Sequence, residues 1–124
     1  MSRLQSVQNE GLSIGVEISG GEVTVKLAGT CDSQTKPLLD RFLDDLFDEA
    51  PRASVRHVTL DFESLYFINS ISIKSFVCWL TKVRALPPAS RYLVTARTNK
   101  FLNWQRRTFG AISRSAPDIF DVVQ

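Results

Sequence analysis

Asn69 and Ser70 form the most chemically suggestive pair in the sequence. They close an apolar run, Leu65-Tyr66-Phe67-Ile68, and open a segment in which Ile73, Phe76, Val77, Leu80 and Val83 recur at helical spacing. Two small polar residues between a strand-like run and a helix occupy a helix N-terminus. The first N–H groups there have no partner within the helix, and the aligned peptide dipoles leave a partial positive charge. Either Asn69 or Ser70 suits the N-cap. The same place suits a hydroxyl that is to carry a phosphate, because free N–H groups and the dipole both accommodate an anion.

Other reactive residue types are sparse and poorly grouped. His57 is the only histidine and begins a strand-like segment, so no Ser–His–Asp or Cys–His arrangement has a motif to rest on. Cys31 and Cys78 lie far apart without metal-ligand spacing and read as reduced thiols, with Cys78 expected in the core. Gly20-Gly21 is a turn signal, and no phosphate-binding glycine loop occurs. The carboxylates Asp44 and Asp45 fall on the outer face of an amphipathic segment, where solvated charge is the ordinary outcome. These patterns argue against an enzyme, and no metal or cofactor is expected.

The elements that must position Asn69 and Ser70 follow from periodicity. Leu12, Ile14, Val16 and Ile18 alternate with polar residues, Gly20-Gly21 turns the chain, and Val23, Val25 and Leu27 resume the alternation, which predicts a β-hairpin. Over residues 36–49, Leu39, Phe42, Leu43, Leu46 and Phe47 form a helical stripe, with Thr35 as a candidate cap, Pro37 in the first turn and Pro51 as the stop. Residues 57–62 and 91–96 read as strands, residues 99–115 as a third helix with Phe101, Leu102, Phe109 and Ile112 inward, and residues 119–123 as a last strand. On this reading Trp104 and Arg107 lie outward or at the edge of the core. Two strands in a hairpin followed by alternating helices and strands predict an α/β fold: a mixed sheet of about five strands with helices packed on one side. The domain is expected to occupy residues 11–124, after a flexible N-terminus at residues 1–10.

Length and composition agree with one such domain. The chain has 124 residues, 44% hydrophobic and 23% charged, enough to build a core without metal or disulfide. The first ten residues lack the apolar stretch of a signal peptide, and no apolar run approaches the roughly 20 residues that span a bilayer. A cytoplasmic protein is therefore expected. Net charge is +2 but uneven: residues 1–62 carry six Lys/Arg against ten Asp/Glu, and residues 63–124 carry nine against three. The basic residues are spread along three elements, which favours solvated surface over a nucleic-acid face.

At the Asn69–Ser70 junction the chain resembles the STAS domain of bacterial anti-sigma-factor antagonists. In that family a strand and a short apolar stretch lead to an Asp-Ser-Ser-Gly-like motif that opens a helix, and the first Ser is phosphorylated by a cognate kinase. Here the stretch runs from Leu60-Asp61-Phe62 through Phe67-Ile68-Asn69-Ser70 to Ile71-Ser72-Ile73. The family's Gly-x-x-Asp-x-x-Thr segment after the second strand is matched by Gly29-Thr30-Cys31-Asp32-Ser33-Gln34-Thr35. Asn69 stands where the family carries an acid, and Ile71 and Ser72 stand where it prefers Ser and Gly. The resemblance, with the order of elements, spans residues 11–123.

The resemblance implies a non-enzymatic signal-transduction module of a partner-switching pathway, bound to an anti-sigma kinase-like protein, with Ser70 as the phosphorylation site. It implies a partner surface at Asp32, Ser33, Asn69, Ser70 and Lys74, since strand ends and helix starts share one edge of the sheet. A second reading keeps the fold and makes the chain an accessory subunit of a larger assembly, such as a lipid-transport ABC system, without phosphorylation. A third, a ligand- or nucleotide-binding domain, ranks last for want of a phosphate loop.

Overall fold

Residues 4–123, which a computed structural model describes, form six strands and three α-helices. The order is β1 (Val7–Gln8), β2 (Leu12–Ser19), β3 (Glu22–Cys31), α1 (Lys36–Glu49), β4 (His57–Ile68), α2 (Ser70–Arg84), β5 (Leu93–Arg97), α3 (Asn103–Ser115) and β6 (Phe120–Val123), with a short 3-10 turn at Pro88–Ser90. All six strands belong to one sheet whose spatial order is the sequence order. β1, β2 and β3 pair antiparallel, and β3 to β6 pair parallel.

Each parallel connection carries one helix. Because the strand order always advances in the same direction, right-handed crossovers put every helix over the same face. That face is the core: Leu12 and Ile14 of β2, Val23, Val25 and Leu27 of β3, Val58, Leu60 and Phe62 of β4, and Val94 and Ala96 of β5 are buried. The mixed sheet covered on one side agrees with the architecture read from the sequence, with β1 as the additional strand. β1 and the buried Leu4 lie within the segment read as a flexible N-terminus. Ile18, at the hairpin end, is 42% exposed.

The opposite face is polar and uncovered. Thr24, Thr59 and Thr95 are in register across β3, β4 and β5, and His57 lies between Glu22 and Thr95, its Nε2 2.8 Å from Thr95 Oγ1. The lone histidine is therefore a surface residue of the open face. Gly20 and Gly21, at φ 55° and 88°, make the hairpin turn that their sequence signals.

Helix faces differ from expectation in three places. In α2 the inward residues are Ser72, Phe76, Trp79, Leu80 and Val83, while Val77 is exposed. Cys78 is exposed as well, and Cys31 is the buried thiol. Position 78 lies on the side of α2 turned toward α1, not toward the sheet. α3 begins at Asn103 rather than near residue 99, because Asn99 folds the intervening residues into a turn: Phe101 N–H donates to its Oδ1 and Leu102 N–H to its main-chain carbonyl. Phe101 is consequently 82% exposed instead of inward, and Gln105, Phe109 and Ile112 are the residues that α3 buries. Trp104 is half-buried at the core margin.

Candidate functional site

The site forms where β3 and β4 end. Cys31 and Ile68 are the last paired residues of these neighbouring parallel strands, and Asn69 N–H donates to the Cys31 carbonyl at 2.9 Å. The turn after β3 and the start of α2 are thereby tied together. Delivery of the first turn depends on Gly29. Its φ is 109°, and a Cβ there would stand 2.3 Å from the Gly11 carbonyl oxygen, which accepts from Thr30 N–H. No other residue type fits that approach without moving β2.

Asp32 organises the turn into α1. Its Oδ1 accepts from Gln34 N–H at 2.9 Å and Thr35 N–H at 3.1 Å. Thr35 is buried, and its hydroxyl accepts from Asp32 N–H and donates to the Thr30 carbonyl. It stands at the N-cap position but does not cap with its side chain, as the sequence had suggested. The strand end and Asp32 have taken that hydroxyl. With Asp32 and Thr35 occupied within the turn, Ser33 is left exposed at its tip.

The start of α2 is capped by Asn69, whose Oδ1 accepts from Ser72 N–H at 2.9 Å. Of the two candidates for the cap, Asn69 is therefore the one used. This leaves Ser70 as the first helical residue, exposed, with a hydroxyl that makes no hydrogen bond among the described residues. Ser72, one turn in, is fully buried. Lys74 is exposed one turn beyond Ser70 and lines a groove of about 490 Å³ between α1 and α2, together with Lys36, Asp40, Cys78 and Lys82. Burial opposes ionisation of Asp40, but the hydrogen bond and charge of Lys36 hold its carboxyl below the ordinary value.

Apolar residues flank Ser70: Tyr66 and Phe67, from the apolar run that closes at Ile68, and Ile71 beyond it. Tyr66 is 65% exposed, Phe67 51% and Ile71 49%. A signal for this was available. A sheet covered on one face cannot bury four consecutive apolar residues, and here Leu65 and Ile68 are the two that turn inward. The β3–β4 register shift between Gly29 and Thr30 accompanies the break in alternation.

Burial, with a smaller contribution from the Asp32 charge, pushes the Cys31 thiol up to about 12, so it is a neutral packing group beneath the site. Among the described residues, no group of three or more His, Cys, Asp or Glu side chains could hold a metal ion. No helix among them is long and apolar enough to cross a membrane.

No family model matches the chain, and no curated protein matches it. Solved structures do. An anti-sigma factor antagonist from Mycobacterium paratuberculosis aligns with a TM-score of 0.62 at 18% identity, over 86% of this chain and 83% of that one. The anti-sigma factor antagonist SpoIIAA in its unphosphorylated form aligns at 0.57 and 17% identity, over 90% and 88%. An uncharacterised protein with a SpoIIAA-like fold from Shewanella loihica aligns at 0.59 and 14% identity, over 97% and 91%. At these identities the likeness is one of fold: the chain has a STAS-like fold.

Proposed function

We propose that this STAS-like domain is a non-enzymatic, cytoplasmic protein-binding module of a bacterial partner-switching pathway, controlled by phosphorylation of Ser70. The observation that carries the reading is the exposed Ser70 hydroxyl at the first position of α2, free of internal hydrogen bonds and joined through Asn69 to the Asp32–Ser33 turn. A phosphate at this position meets unpaired N–H groups and the positive end of the helix dipole. It also brings about −1.5 to −2 charge at neutral pH to a surface that, unmodified, is neutral at Ser33, Asn69 and Ser70.

The surface has the composition of an interface. Phe67 and Ile71 supply apolar area, Ser33, Asn69 and Ser70 supply polar groups, and Lys74 supplies a charge at the rim. The partner is then an anti-sigma kinase-like protein, to which the unmodified domain binds and from which the phosphorylated domain is released. Likeness of fold to anti-sigma factor antagonists supports this class of partner.

A protein co-purified from the native cell provides the test. Amide-shift mapping with that partner is expected to perturb Asp32, Ser33, Asn69, Ser70 and Lys74. Perturbations confined to the hairpin end of the sheet would overturn the site. The accessory-subunit reading is separated by gene neighbourhood: a permease and an ATPase beside the gene favour it, and a kinase or sigma factor favours switching.

A further inference from the structure

The fold gathers basic residues that looked scattered in the sequence. Lys100, Arg106, Arg107 and Arg114 line one hollow of about 410 Å³ at the β5–α3 turn and along α3, with Asn99 and Asn103 between them. No acidic residue lines it, and none of the four cations forms an ion pair among the described residues. The pairs that do form, Arg84 with Asp118 and Arg97 with Asp61, use the neighbouring acids elsewhere.

The turn that carries Lys100 is held from below. Gln105 is fully buried and its Oε1 accepts from Asn99 N–H at 2.7 Å, while Asn99 Nδ2 donates to the Glu63 carbonyl at 3.0 Å. Thr98, also buried, donates through both N–H and hydroxyl to the Val123 carbonyl. The backbone that carries Lys100 is thus fixed beside α3, which carries the other three cations.

Arg107 and Arg114 are two turns apart on one side of α3, and Gly110 lies between them. A Cβ at Gly110 would meet only Arg114 Nη1, at 3.8 Å, so packing does not require glycine there. Glycine within a helix nonetheless costs about 1 kcal/mol relative to alanine. Glycine there leaves the surface beside the Arg114 guanidinium free of a side chain.

We propose that this hollow is a binding site for a soluble polyphosphate group, a di- or triphosphate, separate from the Ser70 surface. Guanidinium forks match phosphate oxygens in pairs. Four cations with no ion pair among the described residues call for a ligand of several negative charges; one carboxylate would neutralise only one of them.

Calorimetric titration with inorganic tripolyphosphate at fixed ionic strength tests the site. One equivalent is expected to bind per chain. Arg107→Gln and Arg114→Gln are each expected to weaken binding about tenfold or more, in line with hydrogen bonds to charged groups. Arg41→Gln, on α1, is expected to leave it unchanged, and Ser70→Asp likewise. Both Arg107 and Arg114 are exposed, so the variants are expected to keep the wild-type circular dichroism. Absence of binding at millimolar tripolyphosphate overturns the proposal, as does equal affinity in the Arg107→Gln/Arg114→Gln double variant. Binding confined to phosphatidylserine vesicles or to a single-stranded oligonucleotide, without competition from tripolyphosphate, overturns it as well and assigns the charge to a surface or a polymer.

Discussion

Gln105 reaches back across the fold to Phe62: its Nε2 donates at 2.7 Å to the Phe62 carbonyl, and at the same distance to the Leu65 carbonyl. The two acceptors flank the irregular stretch of β4 in which Asp61 Oδ1 takes the Glu63 N–H. With Oε1 also occupied, one buried amide serves three main-chain groups that would otherwise lack partners. The distal half of β4, which ends in Asn69 and Ser70, therefore rests on a residue of α3.

Gln105→Leu is expected to destabilise the domain by about 3 kcal/mol, since buried polar groups left unpaired cost roughly 1–3 kcal/mol each. Urea unfolding measures it. Gln105→Glu adds a pH signature. An ionised carboxylate cannot donate to two carbonyls, whereas the protonated acid can donate to one. The folded-state pKa of that acid is then raised, so its contribution is present at low pH and lost as pH rises. A loss below 1 kcal/mol for Gln105→Leu would mean that β4 holds its own shape.

Ser70→Asp is expected to melt within a few degrees of wild type, because a negative charge in the first turn of an exposed helix end is favourable by about 0.3–1 kcal/mol. Partner affinity is expected to fall at least tenfold. Wild-type binding by Ser70→Asp, with Ser70 unmodified in protein from its native cell, would remove the switch and leave the accessory-subunit reading.

Asn69→Ala removes the cap of α2 and is expected to cost about 1 kcal/mol, or roughly 3–5 °C in melting temperature. Asn69→Asp preserves the acceptor and is expected to match wild type. In a protein phosphorylated at Ser70, however, the added carboxylate stands beside the phosphate and opposes it. Comparable melting of Asn69→Ala and wild type would show that the Asn69 N–H bond to Cys31 alone fixes the junction.

The two thiols are expected to separate in a titration with an aromatic disulfide at pH 8. Cys78 reacts in the native protein, and Cys31 reacts only after denaturant is added. Alkaline stability follows the same burial. The Cys31 pKa rises from 9.0 to about 12 in the fold, so the thiol's contribution is intact below pH 9 and is lost as pH climbs toward 12. Burial raises Tyr92 too, and its contribution is lost in the same direction. Cys31→Ala is expected to flatten this alkaline limb of melting temperature against pH. An unchanged limb would assign it to Tyr92.

The architecture was legible because its signals are local and periodic. Alternation at Leu12–Ile14 and Val23–Leu27, the stripe of α1, and the small polar residues at Asn69 and Ser70 each report on a few neighbours. What escaped depends on distant partners. Gln105 looks like an ordinary surface residue until Phe62 and Leu65 come within its reach. Phe101 fits a helical stripe until the Asn99 side chain closes a turn ahead of it. Cys78 and Trp79 compete for adjacent directions on α2, and Trp79, with more apolar area, takes the core side. The Ser70 junction could be read from sequence, but its exposed apolar flanks required knowing that only one face of the sheet is covered.

The sequential strand order has a kinetic consequence. Every strand pairs with its predecessor in the chain, so no pairing waits for a segment made much later. Loop closures stay short, and domains whose contacts are closer in sequence fold faster. During synthesis from the N-terminus, the β2–β3 hairpin can form first, and each helix and strand that emerges finds its template already in place. The last addition, α3 with β6, carries Gln105 and clamps β4 from behind. Until it arrives, the strand that presents Ser70 lacks its final support, and the chain reaches a fixed binding surface only when its last two elements, α3 and β6, have docked.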